Sequence, residues 1–251
     1  MFKVEVGNPV NQTIIFLHGG GLDHTQWKEV MHHLSPEFHC VAVDLPMHGQ
    51  STHIPLTMDG VLHRLEDVCR QYGQVHLVGL SLGGAIVLTA LSRFPQFIKS
   101  AVISGTTTLL SEKNATRLNK YIAPMYRLLK PEWVTTLTMK GFNIPPRFQK
   151  DIQHATKSAS VEQVRAMYTL LSKVQLPMLN QVPLLVLAGG KENRLVKNSQ
   201  YNILSYVKRS KAAIVPSVGH AWSYENPLLF AEVVQCWCEE QPIHFGLKTL
   251  Q

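Results

Sequence analysis

The fold is decided by the stretch Val75-His76-Leu77-Val78-Gly79-Leu80-Ser81-Leu82-Gly83-Gly84-Ala85-Ile86-Val87-Leu88. Its first residues form a short apolar run that ends at a glycine, which is typical of a buried parallel strand. The residues after Gly83 are helical in pattern. Ser81 is therefore expected at a strand-to-helix junction, with a glycine two positions away on each side.

A sharp turn at such a junction crowds the backbone, and glycine is the residue that tolerates the crowding. The serine hydroxyl is then held clear of the sheet, as in a nucleophile elbow. An ordinary glycine-rich turn is the simpler interpretation of Gly79-Leu80-Ser81-Leu82-Gly83. A phosphate-binding loop is less favoured, because no Lys follows the glycines.

Apolar strands and helical segments alternate on both sides of this stretch, which predicts an α/β fold with a mostly parallel sheet between two layers of helices. A short N-terminal strand is expected within Met1 to Gly7. The further strands are predicted at Thr13–Leu17, His39–Val43, Val75–Gly79, Ser100–Ile103, Leu184–Leu187 and Ala212–Val215. One helical stripe runs from Val61 to Cys69, and the last helix should begin at Pro227 after an Asn226 cap.

The alternation stops between residues 106 and 179, where no strand is predicted. Prolines at 124, 131, 145 and 146 should divide this segment into several helices. We therefore predict a core of residues 1–105 and 180–251, with residues 106–179 inserted between two strands as a helical cap. The insertion holds 11 basic against 4 acidic residues, while the rest of the chain balances at 13 against 13. Five of its cations are expected along one helical segment: Lys113, Arg117, Lys120, Arg127 and Lys130.

Composition limits the classes of protein to consider. A chain of 251 residues with 45% apolar and 16% charged residues fits one α/β domain with an insertion. The longest apolar runs are too short to span a membrane, and the N-terminus does not look like a signal peptide, so we expect a soluble cytoplasmic protein without an integral membrane segment. The cysteines are interpreted as buried thiols, with a zinc site as the remote alternative; they are Cys40, Cys69, Cys236 and Cys238.

A second glycine-rich turn, His18-Gly19-Gly20-Gly21, follows the strand Thr13–Leu17. Backbone N–H groups in such a turn can point at a developing oxyanion. We assign the oxyanion hole to the N–H groups of Gly20 and Leu82, and we assign Gly21 to substrate binding. A structural turn is the simpler alternative.

A serine nucleophile needs a base, and the base needs an acid that fixes its tautomer. His220 lies between a late strand and the last helix, where it could reach Ser81. The loop after Leu184–Leu187 contains Glu192 as its single carboxylate, so Glu192 is the predicted acid. Trp222, which follows His220 closely, is assigned to substrate binding.

In this order the motifs resemble those of the α/β-hydrolase superfamily, across the whole chain. Asp44-Leu45-Pro46-Met47-His48-Gly49-Gln50-Ser51 is similar to the loop after its second conserved strand, and Gly219-His220-Ala221-Trp222 to the turn before its last helix. The resemblance is to the capped small hydrolases: esterases, carbon–carbon bond hydrolases and the cyclohexadiene synthases of menaquinone synthesis. Met47 replaces the usual Gly, and Glu192 stands where Asp is commoner.

The resemblance implies a serine hydrolase that acts on a small ester or thioester with no metal or other cofactor. Carbon–carbon hydrolysis or a lyase reaction on the same residues is one alternative, and a ligand-binding protein with negligible turnover is another. Nucleic-acid binding is disfavoured, because the basic insertion has no recognisable reading motif. If the charge of the insertion serves function, anionic acyl substrates should be preferred.

Overall fold

The computed structural model describes residues 1–240, 243–244 and 246–250. Its strands are β1 Lys3–Val6, β2 Thr13–Leu17, β3 His39–Val43, β4 Val75–Leu80, β5 Ile98–Ser104, β6 Leu184–Gly189, β7 Ser210–Val215 and β8 Lys248–Leu250. They form one sheet in the order β1-β3-β2-β4-β5-β6-β7-β8. All pairs are parallel except the two outer ones, where β1 lies antiparallel to β3 and β8 antiparallel to β7.

The predicted α/β fold is confirmed, and every predicted strand is present. β2 and β3 have the predicted bounds, and the other predicted inner strands extend by one or two residues at an end or at both. Strand β8 was not predicted, because the sequence Lys-Thr-Leu is short and only one of its residues is apolar.

Helices cover both faces of the sheet. In chain order they are α1 Lys28–Leu34, α2 Met58–Tyr72, α3 Leu82–Arg93, α4 Glu112–Tyr121, α5 Pro131–Gly141, α6 Gln149–Thr156, α7 Val161–Leu171, α8 Arg194–Tyr206, α9 Trp222–Glu225 and α10 Pro227–Cys238. Side chains alternate along each strand, so Phe16 packs on the face of α1 and α10 while Leu17 packs on the face of α2 and α3. The last helix begins as predicted, with the Asn226 side chain accepting the Leu229 N–H.

Residues 106–179, which we call the insertion, lie between β5 and β6. They contain α4 to α7, with a 3-10 turn at Ala123–Arg127 and another at Pro146–Phe148. The five cations do not share one helical segment, contrary to expectation. The helix α4 ends at Tyr121, and Pro124 prevents it from continuing. Arg127 therefore lies in the 3-10 turn, and Lys130 is the residue immediately before α5.

Three of the four cysteines are buried as expected, and burial raises the pKa of Cys40 and of Cys69 to about 12. Cys236 is the exception, because it lies on a half-exposed side of α10. In the described part of the chain, no group of three His, Cys, Asp or Glu side chains is placed to bind a metal ion. No helix in that part is long and apolar enough to cross a membrane.

Candidate active site

Ser81 occupies a strained turn between β4 and α3, with φ 53° and ψ −109°. The glycines around it have no room for a side chain. A Cβ on Gly79 would lie 2.6 Å from the backbone of Gly83, and one on Gly83 would lie 2.2 Å from the Leu17 carbonyl oxygen. The crowding expected of an elbow is thus present at both glycines.

Among the described residues, no hydrogen-bond partner is found for the hydroxyl of Ser81. Ser81 is the N-cap residue of α3, yet its side chain does not cap the helix. Its backbone N–H donates to the Ser104 carbonyl at 2.8 Å, which ties the turn to the end of β5. Since α3 begins at Leu82, the Leu82 N–H has no intrahelical acceptor and lies at the positive end of the helix dipole.

His220 and Glu192 are brought together at the same edge of the sheet. The Nδ1 atom of His220 lies 2.8 Å from Oε2 of Glu192, whose side chain is 2% exposed. The extra methylene of Glu192 is accommodated, and its Oε1 also accepts the Gly189 N–H at 3.4 Å. Nδ1–H donation to the carboxylate leaves Nε2 of His220 as the available base atom.

Gly105 supplies the space for this pair, and the sequence analysis did not identify it. It has φ +63°, and a Cβ there would lie 2.8 Å from Cε1 of His220 and 3.1 Å from Oε1 of Glu192. Its N–H donates to the Leu187 carbonyl at 3.0 Å. A glycine immediately after a buried strand was the signal that could have revealed it.

Two buried histidines hold the turn at Gly19–Gly21. His18 donates from Nδ1 to the Gly19 carbonyl and accepts the Leu45 N–H at Nε2. His48 donates from Nδ1 to the Pro46 carbonyl and accepts the Gly21 N–H at Nε2. Both rings are therefore neutral, and burial lowers the pKa of His18 and lowers that of His48 to about 3.

These contacts leave one N–H of the turn without a protein partner. The Gly19 N–H donates to Oε1 of Gln26 at 2.9 Å, and the Gly21 N–H donates to His48. Among the described residues, no acceptor is found for the Gly20 N–H. A Cβ on Gly20 would lie 2.7 Å from Sδ of Met167 in the insertion, so a side chain there would displace the flexible Met167 side chain.

Met47 adopts φ 63°, the conformation for which glycine is usual at this position of the motif. The strained turn is held from the insertion, since Nε2 of Gln163 donates to the Met47 carbonyl at 2.7 Å. Gln163 is buried and was not singled out from the sequence, because a glutamine on a helix carries no signal of a buried partner.

The two residues assigned to substrate binding have different surroundings. Gly21 lines a pocket between the sheet edge and the insertion. Trp222 does not: it is fully buried, its Nε1 donates to Oγ of Ser104 at 2.8 Å, and its ring packs on Phe230. Its assignment is corrected accordingly, and its contacts are those of a residue that holds the end of β5.

The insertion contacts the His220 loop at two neighbouring residues. The Phe142 ring stacks on the imidazole of His220, with centroids 5.2 Å apart and planes 29° apart. Nδ2 of Asn143 donates to Oε2 of Glu225 at 2.7 Å, and Oε1 of Glu225 accepts the Gly219 N–H at 2.7 Å. One carboxylate therefore links the insertion to the residue before His220.

The pocket has a volume of about 180 Å³. It reaches the site at Gly20 and Phe142, and no charged side chain is among its described lining. The side chains around it are mainly apolar, among them Tyr126, Leu129, Val134, Leu137, Val164 and Met167.

Comparison with known proteins agrees with this architecture. Residues 14–233 match the profile of the Alpha/beta hydrolase family. An AB hydrolase superfamily protein of Gibberella zeae is 25% identical over 97% of this chain and 86% of its own length. The 2-hydroxy-6-oxo-6-(2'-aminophenyl)hexa-2,4-dienoic acid hydrolase of Metapseudomonas resinovorans is 25% identical over 88% of this chain and 81% of its own.

Among solved structures, a thermophilic esterase from Thermogutta terrifontis superposes with a TM-score of 0.81 at 21% identity, covering 95% of this chain and 93% of the esterase. The profile match spans most of the chain, from β2 to α10. On that match, the chain belongs to the alpha/beta hydrolase family.

Proposed function

We propose that the protein is a serine hydrolase that cleaves a small ester or thioester through an acyl-enzyme. The observation that carries the proposal is the 2.8 Å contact between His220 and Glu192. Ser81 lies at the same edge of the sheet, since its N–H bonds to Ser104 next to Gly105, and its hydroxyl does not cap α3. Serine, histidine and a carboxylate are the groups that acyl transfer requires.

In the proposed reaction, Oγ of Ser81 attacks the substrate carbonyl carbon while Nε2 of His220 accepts the hydroxyl proton. The Glu192 carboxylate stabilises the resulting imidazolium. His220 then donates the proton to the leaving alcohol or thiol as the bond to it breaks. Water, deprotonated in turn by His220, attacks the acyl-enzyme, which releases the carboxylic acid and restores Ser81.

The oxyanion is assigned to the N–H groups of Gly20 and Leu82. The neighbouring N–H groups of Gly19 and Gly21 are already bonded, so the turn offers that of Gly20. The Leu82 N–H adds the positive end of α3. Donors held in this way by His18 and His48 need no reorganisation when charge develops.

The lining of the pocket supports an uncharged acyl group. A carboxylate in the pocket would lose its hydration without gaining a cation, because the described lining has no charged side chain. The cations of the insertion are exposed instead. We therefore replace the expected preference for anionic substrates with a preference for neutral, apolar acyl groups.

Hydrolysis of a carbon–carbon bond is the second candidate, favoured by the likeness to the dienoic acid hydrolase. The substrate in that name is a keto acid without an ester, so the same machinery would act on a different bond. Rates with a series of p-nitrophenyl esters, thioesters and a vinylogous keto acid separate the two candidates.

The test of the nucleophile is Ser81→Ala, assayed with a p-nitrophenyl ester of a short fatty acid. Turnover should fall by ~10³-fold or more, because the members of such a triad act as a unit. Ser205→Ala, which removes an exposed serine hydroxyl from α8, should keep wild-type kcat. If Ser81→Ala keeps more than about a tenth of the activity, the assignment of the nucleophile is wrong.

A further inference from the structure

The segment of the insertion that forms one wall of the pocket also exposes side chains to solvent. Between residues 120 and 138, Tyr126, Leu129 and Val134 line the pocket. Large apolar side chains of the same segment are exposed to solvent, and Leu128 is 82% exposed. We call these residues the outer patch: Tyr121, Ile122, Met125, Leu128 and Trp133.

The outer patch is unusual for the surface of a monomer. Together with Leu137, it holds six of the fifteen exposed large apolar side chains among the described residues, within 17 consecutive positions. Leu137 is 55% exposed and also lines the pocket. Leu137 thus belongs both to the exposed apolar side chains of this segment and to the lining of the pocket. A cluster of this kind marks an interaction site.

Cations are interleaved with the outer patch. Lys120, Arg127 and Lys130 are exposed, and in the described part of the chain none of them forms an ion pair with a carboxylate. Glu132 is the single acidic residue between positions 120 and 138. Lys113 and Arg117 add two more exposed cations on α4. The patch therefore presents apolar and positive groups together.

We propose that the outer patch docks on an anionic membrane surface, and that the pocket takes its substrate from that bilayer. The first part is independent of the reaction, whereas the second part rests on the proposed function. Apolar side chains enter the boundary between headgroups and acyl chains, where Trp and Tyr are favoured. Lys and Arg meanwhile neutralise the anionic headgroups.

A membrane accounts for the patch better than an acidic protein does. Attraction to an acidic protein requires the cations, but it gives no reason for Leu128 and Trp133 to project between them. A bilayer uses both kinds of side chain at once. It also gives a role to Leu137, which is exposed and lines the pocket, because a lipid-soluble ester could pass along this side chain from the bilayer to the pocket.

The test is binding of the whole protein to sedimenting vesicles. One set contains phosphatidylcholine alone, and the other has roughly a third of it replaced by phosphatidylserine, the anionic lipid that polybasic surfaces attract. We expect binding to the second set, weakened by added salt, and little to the first. Leu128→Ser with Trp133→Ser should weaken it by ~10-fold or more. Lys120→Gln, Arg127→Gln and Lys130→Gln together should weaken it by ~100-fold, at about fivefold per cation.

Matched variants on the core control for these changes. Leu228→Ser with Tyr206→Ser removes exposed apolar groups, and Lys28→Gln, Lys208→Gln and Lys248→Gln remove three exposed cations. Both controls should bind like wild type. The proposal is overturned if wild type binds neither vesicle, if patch and core variants bind alike, or if an acidic protein, for which acyl carrier protein is the probe, is bound while the vesicles are not.

A kinetic arm separates this proposal from the proposed reaction. Ser81→Ala should bind vesicles like wild type while it loses hydrolysis. The patch variants should hydrolyse a water-soluble p-nitrophenyl ester at the wild-type rate and lose rate with a long-chain ester dispersed in the anionic vesicles. Equal loss on both substrates would contradict delivery from the bilayer. If the wild-type protein hydrolyses neither ester, the proposed reaction is wrong, but the measurement of vesicle binding still tests the docking.

Discussion

The loops at the carboxyl edge of the sheet and the insertion that covers them are built in opposite ways. In the loops, buried polar groups are paired: His18 and His48 each make two hydrogen bonds, and Glu192 contacts His220. The insertion has an apolar inner side and exposed cations outside, and polar contacts such as that of Gln163 hold it to the core. We therefore propose that chemistry and recognition belong to separate parts of the chain. Changes in the loops should alter kcat, and changes in the insertion should alter mainly substrate choice.

The largest effect is expected in the loops, from Glu192→Gln. This change keeps the shape of the side chain but removes the charge that stabilises protonated His220, so kcat should fall by ~10²–10⁴-fold. The melting temperature should change little. Steady-state kinetics and thermal unfolding of the same sample measure both quantities.

Glu232→Gln is the matched control for that variant. Glu232 is also a carboxylate next to a histidine, His244, at 3.5 Å, but it lies on α10. Wild-type kcat is expected for the control. An unchanged kcat in Glu192→Gln would reduce that residue to a structural role and weaken the contrast between the two regions.

Buried neutral histidines should make stability depend on pH. The pKa of His48 is about 3 in the folded protein, against an ordinary value of 6.5. Below pH 6.5 the unfolded chain takes up a proton that the folded chain does not, so the free energy of unfolding should decrease as pH falls from 6.5 towards 3. By pH ~5 the contribution lost is about 2 kcal/mol.

Urea unfolding at neutral pH and at pH ~5 measures this dependence. In His48→Gln, the decrease in the free energy of unfolding between the two pH values should be smaller by the contribution of that one ring. This holds whatever the substitution does to stability at neutral pH. His63→Gln, on an exposed face of α2, should leave the slope unchanged. Identical slopes in wild type and His48→Gln would show that the ring can be protonated in the folded protein.

The insertion is tested by a pair of substrates of similar size. A p-nitrophenyl ester with an apolar acyl chain should have a kcat/KM about 10-fold or more above that of the isostere ending in a carboxylate, because the pocket offers that charge no partner. Raising the salt concentration should change the ratio little. A preference for the anionic ester that salt abolishes would instead assign the exposed cations to substrate recognition.

The smallest effect is expected where the two regions meet. Asn143→Ala removes the hydrogen bond to Glu225, and a loss of about 1 kcal/mol at that contact corresponds to a change in kcat of ~5-fold or less. Asn119→Ala, which removes a bond to Thr169 within the insertion, should not change kcat. Equal kcat values for wild type and Asn143→Ala would indicate that the Asn143 contact does not position His220.

Local sequence patterns predicted the fold well, since each inner strand is an apolar run next to a glycine, a proline or polar residues. They also predicted that Ser81, His220 and Glu192 lie in loops at one edge of the sheet, because a parallel sheet brings its carboxyl-end loops to the same edge. Whether these residues act in catalysis stays a prediction. Strand β8 was not predicted, because it forms through its pairing with β7 and its own sequence has no alternating pattern.

The features of the site that could not be predicted from the sequence depend on contacts between residues far apart in the chain. Trp222 was assigned to the substrate because it follows His220, but its indole N–H bonds to Ser104, 118 positions away. Phe142 and Gln163 are ordinary helix or turn residues in the sequence, and they gain importance only where the insertion packs over the core. Positions in an insertion have no fixed register against the sheet, so local patterns cannot place them.

The proposed role of Ser81 as a nucleophile at the carboxyl edge of the sheet is tested most directly by trapping the acyl-enzyme. Wild-type protein is mixed with a p-nitrophenyl ester, quenched in acid during the first turnover and mapped by peptide mass spectrometry. We expect a single acyl group per chain on the peptide containing Ser81, and none in Ser81→Ala. Turnover with no adduct, or an adduct on another residue such as Ser104, would contradict it.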